Sequence, residues 1–241
     1  MIYVVGLGPG DIKNMTQRSL GVLESCEIII GYDTYIDLIG EKFGDKKLIT
    51  SPMRDEVARC RKALALAKEG KDVALVSSGD SGIYGMAGVL LEVCGDEDIQ
   101  VEIIPGITAA SSGAAVLGAP LMHDFAVISL SDLLTPWSLI EERLHAAGNA
   151  DFVVVLYNPG SHKRVDYLHR ACSILQQYRP ASTPAGWVRQ IGRVGEEAQV
   201  LTLEEMAHEK VDMLTTVFIG NASSRIINGK IVTPRGYREL S

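Results

Sequence analysis

The stretch that most constrains the fold is the glycine-rich segment Ser77-Ser78-Gly79-Asp80-Ser81-Gly82-Ile83-Tyr84-Gly85. It follows the apolar run 73–76 and precedes a helical pattern that places Ile83, Met86 and Leu90 on one face. A strand, a glycine-rich turn and a helix in this order put bare backbone and one carboxylate at the carboxyl end of a buried strand. Open α/β sheets bind their ligands there. The structural alternative is a tight turn in which Asp80 only caps the helix.

Two more strands end in glycine-rich turns. Gly6-Leu7-Gly8-Pro9-Gly10-Asp11 follows the strand predicted at 2–5, and Pro105-Gly106-Ile107-Thr108-Ala109-Ala110 follows the one at 101–104. Three such ends in one half of the chain predict one shared crevice. The first turn is not a dinucleotide fingerprint, because Asp11 stands where a third glycine is needed and would repel a pyrophosphate. A nicotinamide oxidoreductase is therefore disfavoured.

Composition excludes several partners. The net charge of -7 and the pI near 5.3 argue against a nucleic-acid surface, which needs concentrated Lys and Arg. No apolar run is long enough to span a bilayer, and the N-terminus already reads as a strand, so we expect no membrane contact and a cytoplasmic protein. The four cysteines lack metal-ligand spacing, so each is expected to be a buried small apolar residue and no metal site is predicted.

Alternating strand and helix patterns run to about residue 118 and predict a parallel α/β domain. One predicted helix carries Val57, Cys60, Leu64 and Ala67 on its buried face and ends at Gly70. Gly118-Ala119-Pro120 marks the expected boundary between domains 1–118 and 119–241. The second domain is predicted to hold a mixed sheet, with strands at 125–130, 152–157, 185–188, 198–201 and 216–219 and a hairpin at 226–232.

The three glycine-rich turns, in this order and spacing, resemble the tetrapyrrole methylases, which use S-adenosylmethionine. The resemblance extends through the whole chain. It implies two α/β domains with the active site in the trough between them, and usually a homodimer. The family often has methionine at the position of Asn158 and proline at the position of Ser81. Carried over residue by residue, the resemblance implies these cofactor contacts: Gly8, Pro9, Gly79, Asp80, Ile83, Tyr84, Thr108, Ala109, Tyr157, Asn158 and Thr216.

The second half resembles one branch of this family. The stretches 123–137, with Ser-Leu-Ser-Asp-Leu-Leu-Thr-Pro-Trp at its end, and 156–161, Leu-Tyr-Asn-Pro-Gly-Ser, look like enzymes that methylate C17 of a precorrin-3-level macrocycle and contract its ring. Their substrate is precorrin-3B or cobalt-factor III, in cobalamin biosynthesis. Cobalt is therefore expected only as part of a tetrapyrrole substrate.

Ring contraction moves protons and so requires polar groups beside the macrocycle. The candidates are Ser129, Ser131, Asp132 and His123; a structural alternative is that Ser131 or Asp132 caps the next helix. The substrate's acetate and propionate arms suit Arg and Lys. The candidates for these contacts are Arg189, Arg193 and Lys163, with Arg164 and Arg54 also possible. His123 or His162 could instead approach the cobalt of the substrate.

Two other functions stay open from the sequence. One is a sibling methyltransferase that acts on another ring position, on an RNA cytidine or on an elongation-factor histidine. The acidic charge speaks against RNA, and the polar stretch from Ser129 to Trp137 speaks against other ring positions. The second is a non-catalytic carrier of an unstable tetrapyrrole, which would have no use for S-adenosylmethionine.

Overall fold

The structure is a computed structural model that describes residues 1–161 and 164–237. Two predicted residues, Lys163 and His162, lie outside the described residues. The chain divides into two compact units, one of residues 1–109 and one from Ala110 onward. Each unit contains its own sheet.

The first unit is a parallel α/β structure, as predicted. Its sheet has the strand order β3-β2-β4-β1-β5, and every pairing is parallel. A short 3-10 helix, Ile12–Asn14, precedes the first α-helix. In chain order the elements are β1 (Ile2–Gly6), α1 (Gln17–Ser25), β2 (Ile28–Tyr32), α2 (Asp33–Phe43), β3 (Lys47–Ser51), α3 (Glu56–Lys68), β4 (Val73–Ser77), α4 (Ala87–Cys94) and β5 (Val101–Ile104).

Both faces of this sheet are covered, which explains why its central strands are continuous apolar runs. Alternate residues of β1, β2 and β4 pack against α3 and α4 on one face. The residues between them, among them Val5 and Val76, pack against α1 and α2 on the other face. Thr16 starts α1 because its hydroxyl accepts a hydrogen bond from the backbone of Ser19.

Two details of the predicted helices were wrong. Helix α4 begins at Ala87, and Ile83 is exposed in the turn before it. Tyr84 has a left-handed φ of 54°, and a Cβ on Gly85 would lie 2.5 Å from the carbonyl oxygen of Ser81, so this segment is too tight for helix. In α3, Cys60, Leu64 and Ala67 of the predicted stripe are buried. Val57, in the first turn of the helix, is exposed.

The second unit holds the predicted mixed sheet. Its order is β10-β9-β11-β8-β7, in which β7 and β8 are parallel and the other pairs antiparallel. The predicted hairpin at Asn228-Gly229 is present and extends into a small third sheet through parallel pairing with β6. The elements are α5 (Ala109–Leu117), β6 (Gly118–Ala119), β7 (Phe125–Ser129), α6 (Trp137–Asn149), β8 (Val153–Tyr157), α7 (Tyr167–Leu175), β9 (Pro184–Arg189), β10 (Glu197–Thr202), α8 (Leu203–Met206), β11 (Thr215–Ile219), β12 (Arg225–Ile227) and β13 (Lys230–Val232).

Helix α5 packs within the second unit. A Cβ on Gly113 would lie 2.8 Å from the ring of Phe218 in β11, and Lys230 Nζ donates to the carbonyl oxygen of Val116 at 2.8 Å. The small side chains of this helix therefore allow close contact with β11 and with the hairpin. For this reason the compact units divide at Ala109 and Ala110, before the boundary expected at residue 118.

Among the helices that the structure describes, none combines the length and the hydrophobicity that a bilayer crossing requires.

Candidate active site

The three glycine-rich strand ends meet at one edge of the first sheet. Because β1 lies between β4 and β5, their carboxyl ends are neighbours. Gly8 and Gly79 exchange backbone hydrogen bonds with N···O distances of 3.0 and 2.8 Å. A Cβ on Gly106 would lie 2.1 Å from the carbonyl oxygen of Gly79, which leaves no room for any side chain there. The predicted turns thus pack backbone against backbone.

Two buried hydroxyls hold these strand ends together. Ser81 is fully buried, and its Oγ donates to the carbonyl oxygen of Val4 at 3.1 Å and also lies 3.4 Å from that of Ile104. Ser19 in α1 donates to the carbonyl oxygen of Gly6 at 2.9 Å. Ser81 therefore links β1 with β5, which accounts for a hydroxyl where the family often has proline.

Asp80 fixes the shape of the central turn. One carboxylate oxygen accepts the backbone N–H of Gly82 at 2.8 Å, and the other accepts that of Gly106 at 2.9 Å. Asp80 does not cap α4, which starts seven residues later; the hydroxyl of Ser77 instead accepts the N–H of Met86. The carboxylate therefore ties the turn after β4 to the turn after β5.

The other predicted cofactor residues of this unit surround these turns. Gly8 and Pro9 are buried, whereas Gly79, Thr108 and Ala109 are half-buried. Ile83 and Tyr84 are exposed. The edge thus presents small residues, backbone groups and two exposed apolar side chains, rather than the lysines and arginines of a phosphate site.

A second group of predicted residues lies at the carboxyl ends of β7 and β8 in the second unit. Ser129 and Tyr157 are paired in register. The Tyr157 hydroxyl accepts the backbone N–H of Ala110 at 2.7 Å, in the first turn of α5. Thr216 is buried on β11, next to Val217, whose partner on β8 is Leu156. The structure therefore brings Tyr157 and Thr216 to the same region of this sheet.

Asn158 has a left-handed φ of 52°, a conformation that asparagine tolerates better than most residues. Its Nδ2 donates to the Ser129 hydroxyl at 2.9 Å, and the same hydroxyl accepts the N–H of Ser131 at 3.2 Å. Asn158 thereby joins the turn after β8 to the hydroxyl-rich turn after β7.

Asp132 belongs to a polar cluster that the sequence only partly revealed. The hydroxyl of Tyr167 donates to Asp132 Oδ2 at 2.7 Å, and Arg164 Nη1 lies 3.6 Å from Oδ1. The bond from Tyr167, helped by Arg164, lowers the pKa of Asp132, while the same bond raises the pKa of Tyr167. Near neutral pH, Asp132 is therefore a carboxylate and Tyr167 a neutral phenol. Neither Ser131 nor Asp132 caps α6, whose N-cap is Pro136.

His123 lies away from this cluster. It precedes β7, whereas Ser129, Ser131 and Asp132 lie at or beyond the strand's other end. The strand alone separates the two ends by about 13 Å. The exposed His123 ring faces Asp124, with Nδ1 3.7 Å from Oδ2.

The predicted substrate arginines have different surroundings. Arg189 Nη1 donates to Glu197 at 3.2 Å, Nη2 donates to the carbonyl oxygen of Lys210 at 3.0 Å, and Nε lies 3.4 Å from Asp212. This guanidinium is largely engaged in holding β9, β10 and the segment before β11. Arg193 lies in the turn after β9, and its backbone N–H donates to the carbonyl oxygen of Gln190. Arg54 is an exposed turn residue with a φ of 74°.

No three His, Cys, Asp or Glu side chains within residues 1–161 and 164–237 are arranged to hold a metal ion. The four cysteines are free and buried, as predicted.

Sequence reasoning missed Tyr167 and the loop-closing roles of Ser81 and Asp80. Tyr167 opens α7, and no sequence motif marked it as a candidate. Its distance from Asp132 along the chain hid the contact, which depends on the parallel register of β7 and β8.

Comparisons with known proteins agree with the geometry. The sequence profile of the tetrapyrrole (corrin/porphyrin) methylases matches residues 1–207. A probable cobalt-factor III C(17)-methyltransferase of Salmonella typhimurium is 48% identical, over 98% of this chain and 99% of its own. A precorrin-3B C(17)-methyltransferase of Sinorhizobium sp is 38% identical, over 100% and 98%. The chain also spans about half the length of some longer relatives.

The same relationship holds in three dimensions. The crystal structure of the methyltransferase CobJ superposes with a TM-score of 0.89 at 35% identity, over 97% of this chain and 99% of that one. Profile, sequence and fold thus agree over nearly the full length. The chain is a member of the tetrapyrrole methylase family.

Proposed function

We propose that this protein transfers a methyl group from S-adenosylmethionine to C17 of a precorrin-3-level macrocycle, with contraction of the ring, in cobalamin biosynthesis. The observation that carries the proposal is the 48% identity, over nearly all of both chains, to a relative named for this reaction. The glycine-rich edge of the first unit supports it, because three adjoining turns offer small residues and backbone groups to a ligand.

The residues of that edge fit this cofactor. When bound, S-adenosylmethionine supplies an electrophilic methyl carbon on a sulfonium group. It needs backbone donors and acceptors and an apolar surface rather than a phosphate cradle. A side chain at Gly106 would clash with the Gly79 carbonyl oxygen, and Gly79 has a left-handed φ of 65° that disfavours any side chain, so both turns depend on glycine. Asp80 would act mainly by holding these turns, since both of its oxygens already accept backbone N–H groups.

Tyr157, Asn158 and Thr216 remain proposed cofactor contacts. Asn158 and Tyr157 are held by hydrogen bonds to Ser129 and to the start of α5, so each would present a fixed surface.

The protein's contribution to methyl transfer would be positional. Two reacting carbons that are held near contact need no strong base, because proximity and orientation supply most of the acceleration. Ring contraction is different and would use the hydroxyls of Ser129 and Ser131. Asp132, held as a carboxylate, would position its neighbours rather than donate a proton.

We propose cobalt-factor III as the preferred macrocycle, with precorrin-3B as the alternative. Four relatives named for the cobalt substrate are 40 to 48% identical, and a relative named for precorrin-3B is 38% identical. We further propose that the protein works as a homodimer in the cytoplasm, where its four free cysteines would stay reduced.

Anaerobic turnover tests the proposal. Purified protein with S-adenosylmethionine should convert cobalt-factor III to a product that is heavier by one methyl group and has the absorbance of a contracted ring. Precorrin-3B, assayed in parallel, should turn over more slowly. If the protein binds the cofactor but methylates neither macrocycle, the C17 assignment fails. Binding of a macrocycle without cofactor affinity would indicate the carrier function instead.

A further inference from the structure

Arg164 is a nearly buried arginine beside the hydroxyl-rich turn of the second unit. Its side chain is only 12% exposed. Nη1 donates to the Ser131 hydroxyl at 3.2 Å, and Nε is buried without a hydrogen-bond partner among the described residues. A guanidinium carries five N–H donors, so these neighbours leave part of its capacity unused.

Asp132 does not satisfy this guanidinium. The distance of 3.6 Å from Arg164 Nη1 to Oδ1 is too long for the charge-assisted hydrogen bond that Arg and a carboxylate form at about 2.7 to 2.9 Å. The carboxylate instead makes its short bond, 2.7 Å, with Tyr167. Burying an arginine whose only counter-charge is distant lowers the stability of the fold, unless another anion pairs with the guanidinium.

The support behind Asp132 is rigid. The Tyr167 ring packs on Trp137 with their centroids 4.3 Å apart, and the guanidinium of Arg170 lies 4.0 Å above the Trp137 ring. Arg170 is in turn paired with Glu141 at 3.1 Å. This stack fixes Tyr167, and through it Asp132, on one side of Arg164.

The neighbouring surface suits a large, partly apolar ligand. Leu134 is 93% exposed in the turn that follows Asp132, and Val165, next to Arg164 in sequence, is 87% exposed. Large apolar side chains this exposed, next to a cation that is incompletely paired within the described part of the chain, match the chemistry of a macrocycle that carries carboxylate arms.

We infer that the guanidinium of Arg164 binds one carboxylate arm of the macrocyclic substrate, and that Asp132 and Tyr167 are positioning residues that hold it in place. The inference rests on the proposed function for its ligand. It gives the substrate role to Arg164 rather than to Arg189, whose charge already faces the carboxylates of Glu197 at 3.2 Å and Asp212 at 3.4 Å.

The test uses Arg164→Met, the charge-keeping Arg164→Lys, and Arg143→Met as a matched control. Arg143 is exposed on α6 in the same unit and is outside the cluster. The measured quantities are the Kd of cobalt-factor III by absorbance titration, its KM, and the Kd of S-adenosylmethionine by calorimetry. Arg164→Met should weaken macrocycle binding about ten- to hundredfold, as expected for a lost hydrogen bond to a charged group. Arg164→Lys should lose less, and cofactor affinity should not change.

A second experiment distinguishes recognition of the substrate carboxylate from a role of Arg164 in supporting the fold. With a macrocycle whose acid arms are methyl esters, the effect of Arg164→Met on Kd should disappear, because the carboxylate is gone. An equal loss for the acid and the ester would overturn the inference, as would unchanged affinity of Arg164→Met for the acid. The two Kd measurements need no turnover, so wild-type protein that binds the macrocycle without methylating it would refute the proposed reaction and leave the Arg164 test valid. Absence of macrocycle binding by the wild type would overturn both.

Discussion

Asp80 and Asp132 show how a single carboxylate acquires its role from its neighbours. Asp80 was a candidate cofactor contact and Asp132 a candidate for ring contraction, and each follows a strand of its own sheet. In the structure Asp80 accepts two backbone N–H groups, and Asp132 accepts the hydroxyl of Tyr167. Residue type and strand position suggested these two carboxylates, whereas their hydrogen-bond partners could not be known without the register of the strands.

The contact between the turns at Gly79 and Gly106 gives a first prediction at this scale. Gly106→Ala would put a methyl group 2.1 Å from the Gly79 carbonyl oxygen, so the turns must separate. We expect at least a tenfold loss of S-adenosylmethionine affinity, measured by calorimetry, together with a lower Tm. Gly88→Ala in α4 is the control, because an added Cβ there meets nothing within 4 Å. That change should leave binding intact and raise helix stability by up to about 1 kcal/mol. Normal cofactor affinity in Gly106→Ala would contradict the proposed site.

The bond between Tyr167 and Asp132 gives a second prediction, in pH dependence. The folded-state pKa of Asp132 lies below its unfolded value of about 3.9, so this carboxylate stabilises the fold above that pH. The stabilisation is lost as the pH falls through the folded pKa. Tyr167→Phe should therefore cost about 0.5 to 1 kcal/mol at pH 7, after allowance for the exposure of Asp132, and less at pH 3.

Urea unfolding at pH 7, 5 and 3 measures this difference. Tyr178→Phe is the control, because its hydroxyl contacts His145 rather than a carboxylate. Its effect should not change between pH 5 and 3. A Tyr167→Phe difference that is the same at all three values would show that the bond does not stabilise ionised Asp132.

At the scale of elements, strands and turns were predicted well from the sequence where a single physical signal was sufficient to identify them. Continuous apolar runs marked β1, β4 and β8, and Asn228-Gly229 marked the hairpin. Helix α2 and strand β3 received no prediction, since β3 is a short edge strand with polar residues such as Lys47 and Thr50. Edge strands lack the apolar run that burial on both faces produces.

The candidate site was predicted less completely, because several of its features depend on backbone conformation and on tertiary contacts. Motif order indicated the glycine-rich turns, and all three lie at one edge of the sheet. The start of α4 was misplaced because Ile83 fits a helical stripe, while the left-handed Tyr84 that prevents helix gives no sequence signal. Arg164 and Tyr167 join Ser131 and Asp132 only through tertiary contacts.

Helix α5 supplies a prediction at this scale. Gly113→Ala would place a methyl group 2.8 Å from the Phe218 ring, so the helix must move away from β11. We expect a loss of about 1 to 3 kcal/mol, as for overpacking in a core. Thermal or urea unfolding measures this loss of stability, and Ser111→Ala, at an exposed position of the same helix, is the control. An unchanged free energy of unfolding would show that α5 does not pack closely on this sheet.

At the scale of the whole molecule, each unit contributes a different capability. The first offers a parallel sheet whose glycine-rich edge suits a small cofactor, and the second offers a mixed sheet with a hydroxyl-rich turn and a nearly buried arginine. The overall charge of -7 is compatible with an acidic substrate, because recognition of carboxylates depends on local cations, which is the role inferred for Arg164.

The most direct test of the central claim is the position of the transferred carbon. The protein is incubated anaerobically with cobalt-factor III and S-adenosylmethionine that carries ¹³C in its methyl group, and the product is analysed by NMR. The account predicts a single enriched methyl signal that correlates with C17 of a contracted ring. Enrichment at another ring carbon would contradict the C17 assignment, and absence of enrichment despite cofactor binding would contradict the proposed reaction.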